Sequence, residues 1–169
     1  MREIRIEKVS LNIGVGKPGD ELEKAVKLLG VITGAKPVKT GAKRRIPTWG
    51  LRPGLEIGTK VTIRGKKAVE LLSELLKAKN NTLSVKNFDN GGNFSFGIHE
   101  YLDIPSIKYD PSIGIIGLEV AVTLVRPGYS IKLRRIRKRK IGARHLIKRE
   151  EAVEFMKKKF GINIMESEQ

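Results

Sequence analysis

Residues 57–79 read IGTKVTIRGKKAVELLSELLKAK, and the change of period inside them decides the class of fold. From Ile57 to Arg64 the β-branched residues alternate with others, the two-residue period of a half-buried strand. Past Gly65 the period lengthens, and Ala68, Val69, Leu71, Leu72, Leu75 and Leu76 share one face with Lys and Glu opposite, which predicts an amphipathic helix over 66–79. Working outward, Pro37 to Ile46 is short and basic, compatible with an edge strand. Pro47 to Gly54 (PTWGLRPG) is rich in Pro and Gly and predicts an irregular, protruding loop, so that 37–64 becomes a hairpin with a long tip.

Further toward the N-terminus, Ile4 and Ile6, then Val9, Leu11 and Ile13 after a slip of one residue, predict a strand over 3–13 with a bulge. Leu22, Ala25, Val26, Leu29 and Ile32 predict a helix over 20–33, opened by Asp20 as a cap and stopped at Gly34. Toward the C-terminus, Asn93 to His99 after the Asn90 to Gly92 turn, and the apolar Ile115 to Val125, predict strands, the latter central. Ala152, Val153, Phe155, Met156 and Phe160 mark a last helix over 150–160. Strands and helices mix without a regular βαβα alternation, which predicts an α+β fold of two layers: one sheet with helices on one face. No internal repeat or long linker divides the chain, so 1–169 is expected to be a single domain with a basic arm over 128–146 and a frayed tail over 165–169.

Composition narrows the function. Lys and Arg number 34 against 18 Asp and Glu, a formal net charge of +16. Ten of the eighteen residues from Lys132 to Arg149 (KLRRIRKRKIGARHLIKR) are basic and none is acidic. Charge at that density repels itself unless a polyanion is near, and nucleic acid is the leading candidate. An isolated segment of this kind would be disordered and would gain order by contact with phosphates, releasing condensed counterions. A thermophile's charged surface would interleave Glu with Lys, which this run does not do. As far as Arg144, the only large apolar residues between its charges are Leu133, Ile136 and Ile141, too thin an apolar face for insertion into a membrane surface. With no Cys there is no disulfide, thiolate metal site or thiol nucleophile, and the alternating N-terminus is not a secretory signal, so a cytoplasmic protein is expected.

The catalytic readings are weak. Gly14-Val-Gly16-Lys-Pro-Gly19 fits G-x-G-x-x-G between a strand and a helix, but a dinucleotide fold wants an acidic residue about 20 positions on, where this chain has Lys36, Val38, Lys39 and Thr40. A phosphate-binding loop fails because Lys17 is followed by Pro18. His99 and His145 are far apart and unsuited to a metal site. Asp89, Asp103 and Asp110 each sit beside a turn signal that explains them as turn caps. No enzyme, metal or cofactor is expected. On the hairpin, Lys36, Lys39, Lys43, Arg44, Arg45, Arg52, Lys60 and Arg64 face a single acid, Glu56, between Ala35 and Ile63. Trp49 in the loop suits stacking or wedging against a base or ribose, or folding back onto the hairpin.

The stretches LNIGVG (11–16), ITGAKPVKT (32–40) with AKRRI (42–46), GLRPGLEIGTKVTIRG (50–65), NFDNGGNFSFGIHE (87–100) and YDPSIGIIGLEV (109–120) resemble, in order and over almost the whole chain, the universal 5S-rRNA-binding family of large-subunit ribosomal proteins, universal large-subunit protein five. RPGYSI (126–131), IGARH (141–145) and EEAVEFM (150–156) resemble its archaeal and eukaryotic branch, and most of all the archaeal form. The resemblance implies a curved, mainly antiparallel sheet that docks on 5S rRNA in the central protuberance and helps attach it to the large rRNA. It implies polar contacts to 5S rRNA from Asn12 and Thr62, with Lys39, Lys43, Arg45 and Arg64 as phosphate clamps. It also implies that the loop carrying Pro47, Thr48, Trp49, Gly50, Leu51 and Arg52 reaches the elbow of P-site tRNA, and that other proteins of the protuberance are neighbours. The arm residues Lys132, Arg134, Arg135, Arg137, Lys138, Arg139, Lys140 and Arg144 would meet rRNA phosphates. Two departures stand out: Ala35 occupies a place where relatives often carry Gln, leaving that contact missing or taken over by Lys36, and no Ser or Thr cap precedes the last helix.

Overall fold

The computed structural model describes residues 1–165. The chain opens with strand β1 (Arg5–Gly14), in which Val9, Leu11 and Ile13 are buried while Ser10 and Asn12 remain half-exposed. Ile6, Glu7 and Lys8 are all half-buried, so strict alternation begins only at Val9. Helix α1 (Asp20–Thr33) starts one residue earlier than a cap at Asp20 would allow. Gly19 takes the cap position at φ 132°, a conformation L side chains rarely adopt, and no side chain caps the helix. Asp20, Glu21 and Glu23 instead place carboxylates in the first turn, at the positive end of the helix dipole. Gly34 ends the helix in the left-handed conformation, its N–H donating to the Gly30 carbonyl.

Strand β2 (Val38–Gly41) pairs antiparallel with β3 (Glu56–Arg64), Val38 opposite Lys60 and Thr40 opposite Gly58, so the expected hairpin forms. Helix α2 (Lys66–Ala78) follows, then the short strand β4 (Thr82–Ser84), β5 (Phe94–Ile98), β6 (Leu118–Val125), the single helical turn α3 (Ser130–Leu133), α4 (Arg149–Phe160) and β7 (Asn163–Met165). The main sheet has five strands in the order β2-β3-β1-β6-β5, mainly antiparallel, with β1 at its centre, β6 interior and β2 at an edge. One face of it is buried: Val61 and Ile63 on β3, Phe94, Phe96 and Ile98 on β5, and Leu118, Val120, Val122 and Leu124 on β6 alternate with exposed or half-exposed neighbours. This is the mixed α+β architecture with a mainly antiparallel sheet that the irregular order of strands and helices predicts.

Two compact units share these elements, one made of Met1–Val9, Arg64–Phe96 and the chain from Ala121 on, the other of Ser10–Ile63 and Gly97–Val120. In the second unit α1 buries Leu22, Ala25, Leu28 and Leu29, each leucine worth roughly 2 kcal/mol of transfer free energy. There Asp110 accepts from Lys27 Nζ at 2.9 Å and from the Ser112 backbone N–H at 2.9 Å. Hydrogen bonding from Ser112, with Lys27 beside it, pulls its carboxyl down to about 2. In the first unit α2 buries Ala68, Leu71, Leu72, Leu75 and Leu76. A separate two-stranded sheet pairs β4 with β7 in parallel, Leu83 opposite Ile164. Met165 is thus the last residue of a strand rather than part of a frayed tail, and the rest of that expected tail lies outside the described residues. Among the described residues no helix is long and apolar enough to cross a membrane.

Candidate nucleic-acid interface

Alternation along β1, β3 and β6 puts Ser10 and Asn12, Thr62, and Glu119 on the uncovered side of their strands. They form two couples. Ser10 Oγ and Thr62 Oγ1 lie 3.3 Å apart, and Asn12 Nδ2 donates to Glu119 Oε2 at 3.2 Å. Both sequence-predicted contact residues therefore stand on the open face with a partner fixing their orientation. Around Asn12 and Glu119 lies a cleft of about 340 Å³, lined also by Gly14, Gly97, His99 and Gly117.

Beside this face the hairpin tip is braced by its own backbone. Ala42 N–H donates to the Leu55 carbonyl and Gly54 N–H to that of Ala42, while Ile46 and Leu51 exchange bonds across the tip. Pro47–Trp49 forms a 3-10 turn closed by Gly50 at φ 65°. Trp49 is 74% exposed, so its ring stands out from the hairpin instead of folding back onto it. Pro47, Thr48, Gly50 and Arg52 are likewise exposed, but Leu51 is buried and anchors the loop. Lys36, Lys43, Arg45 and Arg64 are exposed. Lys39 differs: its Nζ sits 2.5 Å from Glu23 Oε1 and 3.3 Å from Glu56 Oε2, and these carboxylates raise its pKa. Its charge is already shared with two carboxylates.

The first turn of the G-x-G-x-x-G loop is bonded back to the sheet. Val15 and Gly16 N–H both donate to the Ile57 carbonyl, at 3.0 and 2.8 Å. A dinucleotide site would need amides there aimed at a pyrophosphate. The aspartates act in turns as expected where bonds define them: Asn93 N–H donates to Asp89 Oδ1 and Ser112 N–H to Asp110 Oδ1. Among the described residues no group of three or more His, Asp or Glu is placed to hold a metal ion.

The basic arm belongs to the other unit. Lys132, Arg134, Arg135, Arg137, Lys138, Arg139, Lys140 and Arg144 are all exposed. Arg134 is partly committed, its Nε and Nη2 donating to the carbonyl of Arg137, which itself stands at φ 52°, at 3.0 and 2.7 Å. At the base of the arm the buried Arg126 donates to Glu151 Oε1 at 2.8 Å and to the His145 and Leu146 carbonyls at 3.4 Å. Tyr129 Oη donates to the His145 carbonyl at 3.3 Å, and His145 Nε2 lies 2.9 Å from the Pro127 carbonyl. Helix α4 starts here without a Ser or Thr cap: the Lys148 N–H donates to Glu151 Oε2 at 3.0 Å, and that bond, with Arg126 beside it, holds the Glu151 carboxyl below its usual range.

Residues 1–52 match the family model of ribosomal protein L5, and residues 56–155 match the model of that family's C-terminus. The chain belongs to the ribosomal protein L5 family. Among its relatives, the large ribosomal subunit protein uL5 of Nanoarchaeum equitans is 52% identical over 98% of this chain and 98% of its own length. Those of Sulfurisphaera tokodaii and Nitrosopumilus maritimus are 51% and 50% identical, covering 98% and 97% of this chain and 94% and 95% of their own. This is a family of ribosomal proteins, not of enzymes.

Within this L5-family chain, sequence reasoning passed over Ser10, Glu119 and Arg126. The first two were legible in principle as polar residues at outward positions of strands. Arg126 was not, because nothing in the order Arg-Pro-Gly shows that its guanidinium turns inward.

Proposed function

We propose that this chain is a structural component of the large subunit of the cytoplasmic ribosome. It binds 5S rRNA through the open face of the sheet and helps attach it to the large rRNA in the central protuberance. Asn12 and Thr62 make polar contacts to 5S rRNA, and Lys36, Lys43, Arg45 and Arg64 grip phosphates around them, with Lys39 contributing what charge Glu23 and Glu56 leave. The arm cations from Lys132 to Arg144 neutralise rRNA phosphates. The loop 47–54 presents Trp49 and Arg52 toward P-site tRNA, while other proteins of the protuberance pack nearby. We take residues 1–169 to work as a single domain.

The observation that carries this reading is the pairing of a pre-oriented polar face with a flanking set of exposed cations. Phosphate contacts position such a protein on RNA, and the polar face supplies the discrimination. The relatives' names as large ribosomal subunit proteins supply the setting. Titration of the purified chain with 5S rRNA and with an unrelated RNA duplex of equal length, over a range of salt, tests it. Tight binding to 5S rRNA that falls steeply with salt is expected, and equal affinity for the unrelated duplex would end the specific reading.

A further inference from the structure

Glu119 is anomalous for its surroundings. In a chain with 34 basic residues its carboxylate has a neutral partner, the Asn12 amide at 3.2 Å, and it is exposed on the sheet face that the proposed function turns toward a polyanion. A carboxylate there repels phosphate and can only accept hydrogen bonds. RNA offers donors at the ribose 2′-hydroxyl and at base amino groups, and the wide, shallow minor groove of an A-form helix displays both, including the guanine N2 amino group.

The cleft around Glu119 is shaped for such an approach. Gly117 closes its floor: a Cβ there would stand 2.8 Å from the His99 carbonyl oxygen. Gly14 and Gly97 are exposed, and a Cβ on either would meet nothing within 4 Å, so bare backbone flanks the carboxylate with open space above it. Neither glycine has a positive φ, so the backbone does not demand glycine at these positions. Room for an incoming group does explain them.

We propose that the Asn12–Glu119 pair and its glycine rim form a reader for the donor edge of an RNA minor groove, with Glu119 accepting from a ribose 2′-hydroxyl or a guanine N2 amino group. The assignment rests on the 5S rRNA reading above and gives it a chemical specificity.

The test exploits a sign. Removing a negative charge from a polyanion-binding surface should tighten binding if long-range electrostatics is all that Glu119 contributes. Glu119→Gln keeps an oxygen for the Asn12 amide but turns an N–H₂ toward the RNA, donor against donor. We expect 5S rRNA binding about tenfold weaker, with unchanged thermal melting. Gly97→Ala, whose Cβ enters empty space in the free protein, should weaken binding similarly without altering the melt. A 5S transcript pool doped with 2′-deoxynucleotides or with inosine for guanosine, sorted into bound and free fractions, identifies the donor: the analogue that interferes with the unsubstituted protein but not with Glu119→Gln marks the contacted group. Unchanged or tighter binding by Glu119→Gln, neutrality of Gly97→Ala, or absence of any such analogue position would each overturn the reader. Failure of the unsubstituted protein to bind 5S rRNA at low salt would instead sink the proposed function itself.

Discussion

On the hairpin and sheet face, polar groups meet one another first: Lys39 is bridged to Glu23 and Glu56, Ser10 to Thr62, and Asn12 to Glu119. In the arm from Lys132 to Lys140 the sequence supplies the cations with no acid, and Arg134 turns to a backbone carbonyl. On the proposed function, the difference separates two jobs. Groups held in place before contact lose little entropy on binding and punish a wrong partner with unpaired donors and acceptors, so they discriminate. Uncompensated cations grip any phosphate and draw their strength from released counterions, so they supply affinity that salt erodes.

The largest predicted effect lies in the arm. Replacing Lys132, Arg135, Arg137, Lys138, Arg139 and Lys140 together by Gln should cost at least about a hundredfold in rRNA affinity near physiological salt. It should also flatten the dependence of log K on log salt by about 0.7 to 0.9 for each phosphate no longer neutralised. Filter binding at several salt concentrations reads both, and an unaltered slope would mean that the arm does not touch phosphates.

Arg126 tests whether the arm's base is built as firmly as the hairpin. Arg126→Met strands the His145 and Leu146 carbonyls and should lower unfolding stability by about 2 kcal/mol in denaturant melts. The partner carboxyl adds a pH signature. Because the folded Glu151 pKa lies below its ordinary value of 4.5, its contribution to stability is present above that value and is lost as pH falls through the lowered folded value. The stability gap between the protein and Glu151→Gln should therefore narrow in acid, as melting at stepped pH would reveal.

On the sheet face, Asn12→Ala or Thr62→Ala should weaken 5S rRNA binding by about 1 to 3 kcal/mol and leave the salt slope nearly unchanged. That slope contrast with the arm is the sharpest form of the comparison. Trp49→Ala is expected to have the smallest effect on 5S rRNA, within about 0.5 kcal/mol, and to show itself in tRNA placement on assembled ribosomes. A large loss of 5S binding would assign the loop to the wrong RNA.

Much of this contrast was legible in the sequence. The switch from period two to period 3.6 at Gly65 placed β3 and α2 correctly, and the acid-free run from Lys132 marked the arm. What escaped depended on distance along the chain or on very short elements. Lys39 reads as a free clamp until Glu23, sixteen positions back, is folded beside it. Leu51 reads as part of an exposed tip until its pairing with Ile46 turns it inward. Asp20 looked like a cap because Asp commonly is one, yet Gly19 could adopt a backbone angle that displaced it. β4 and β7, three residues each, are too short for any alternation to register and exist because they find each other.

That last pairing has a consequence for biosynthesis. β4 has its parallel partner about eighty positions downstream, and the Asn163 N–H closes onto the Asn81 carbonyl at 2.8 Å. During vectorial synthesis the edge of β4 must wait, unzipped, until residues 163–165 have left the exit tunnel. The second unit draws no residue from beyond Val120, so every residue of the proposed RNA-reading surface has been synthesised before the ribbon that finishes the first unit can be tied.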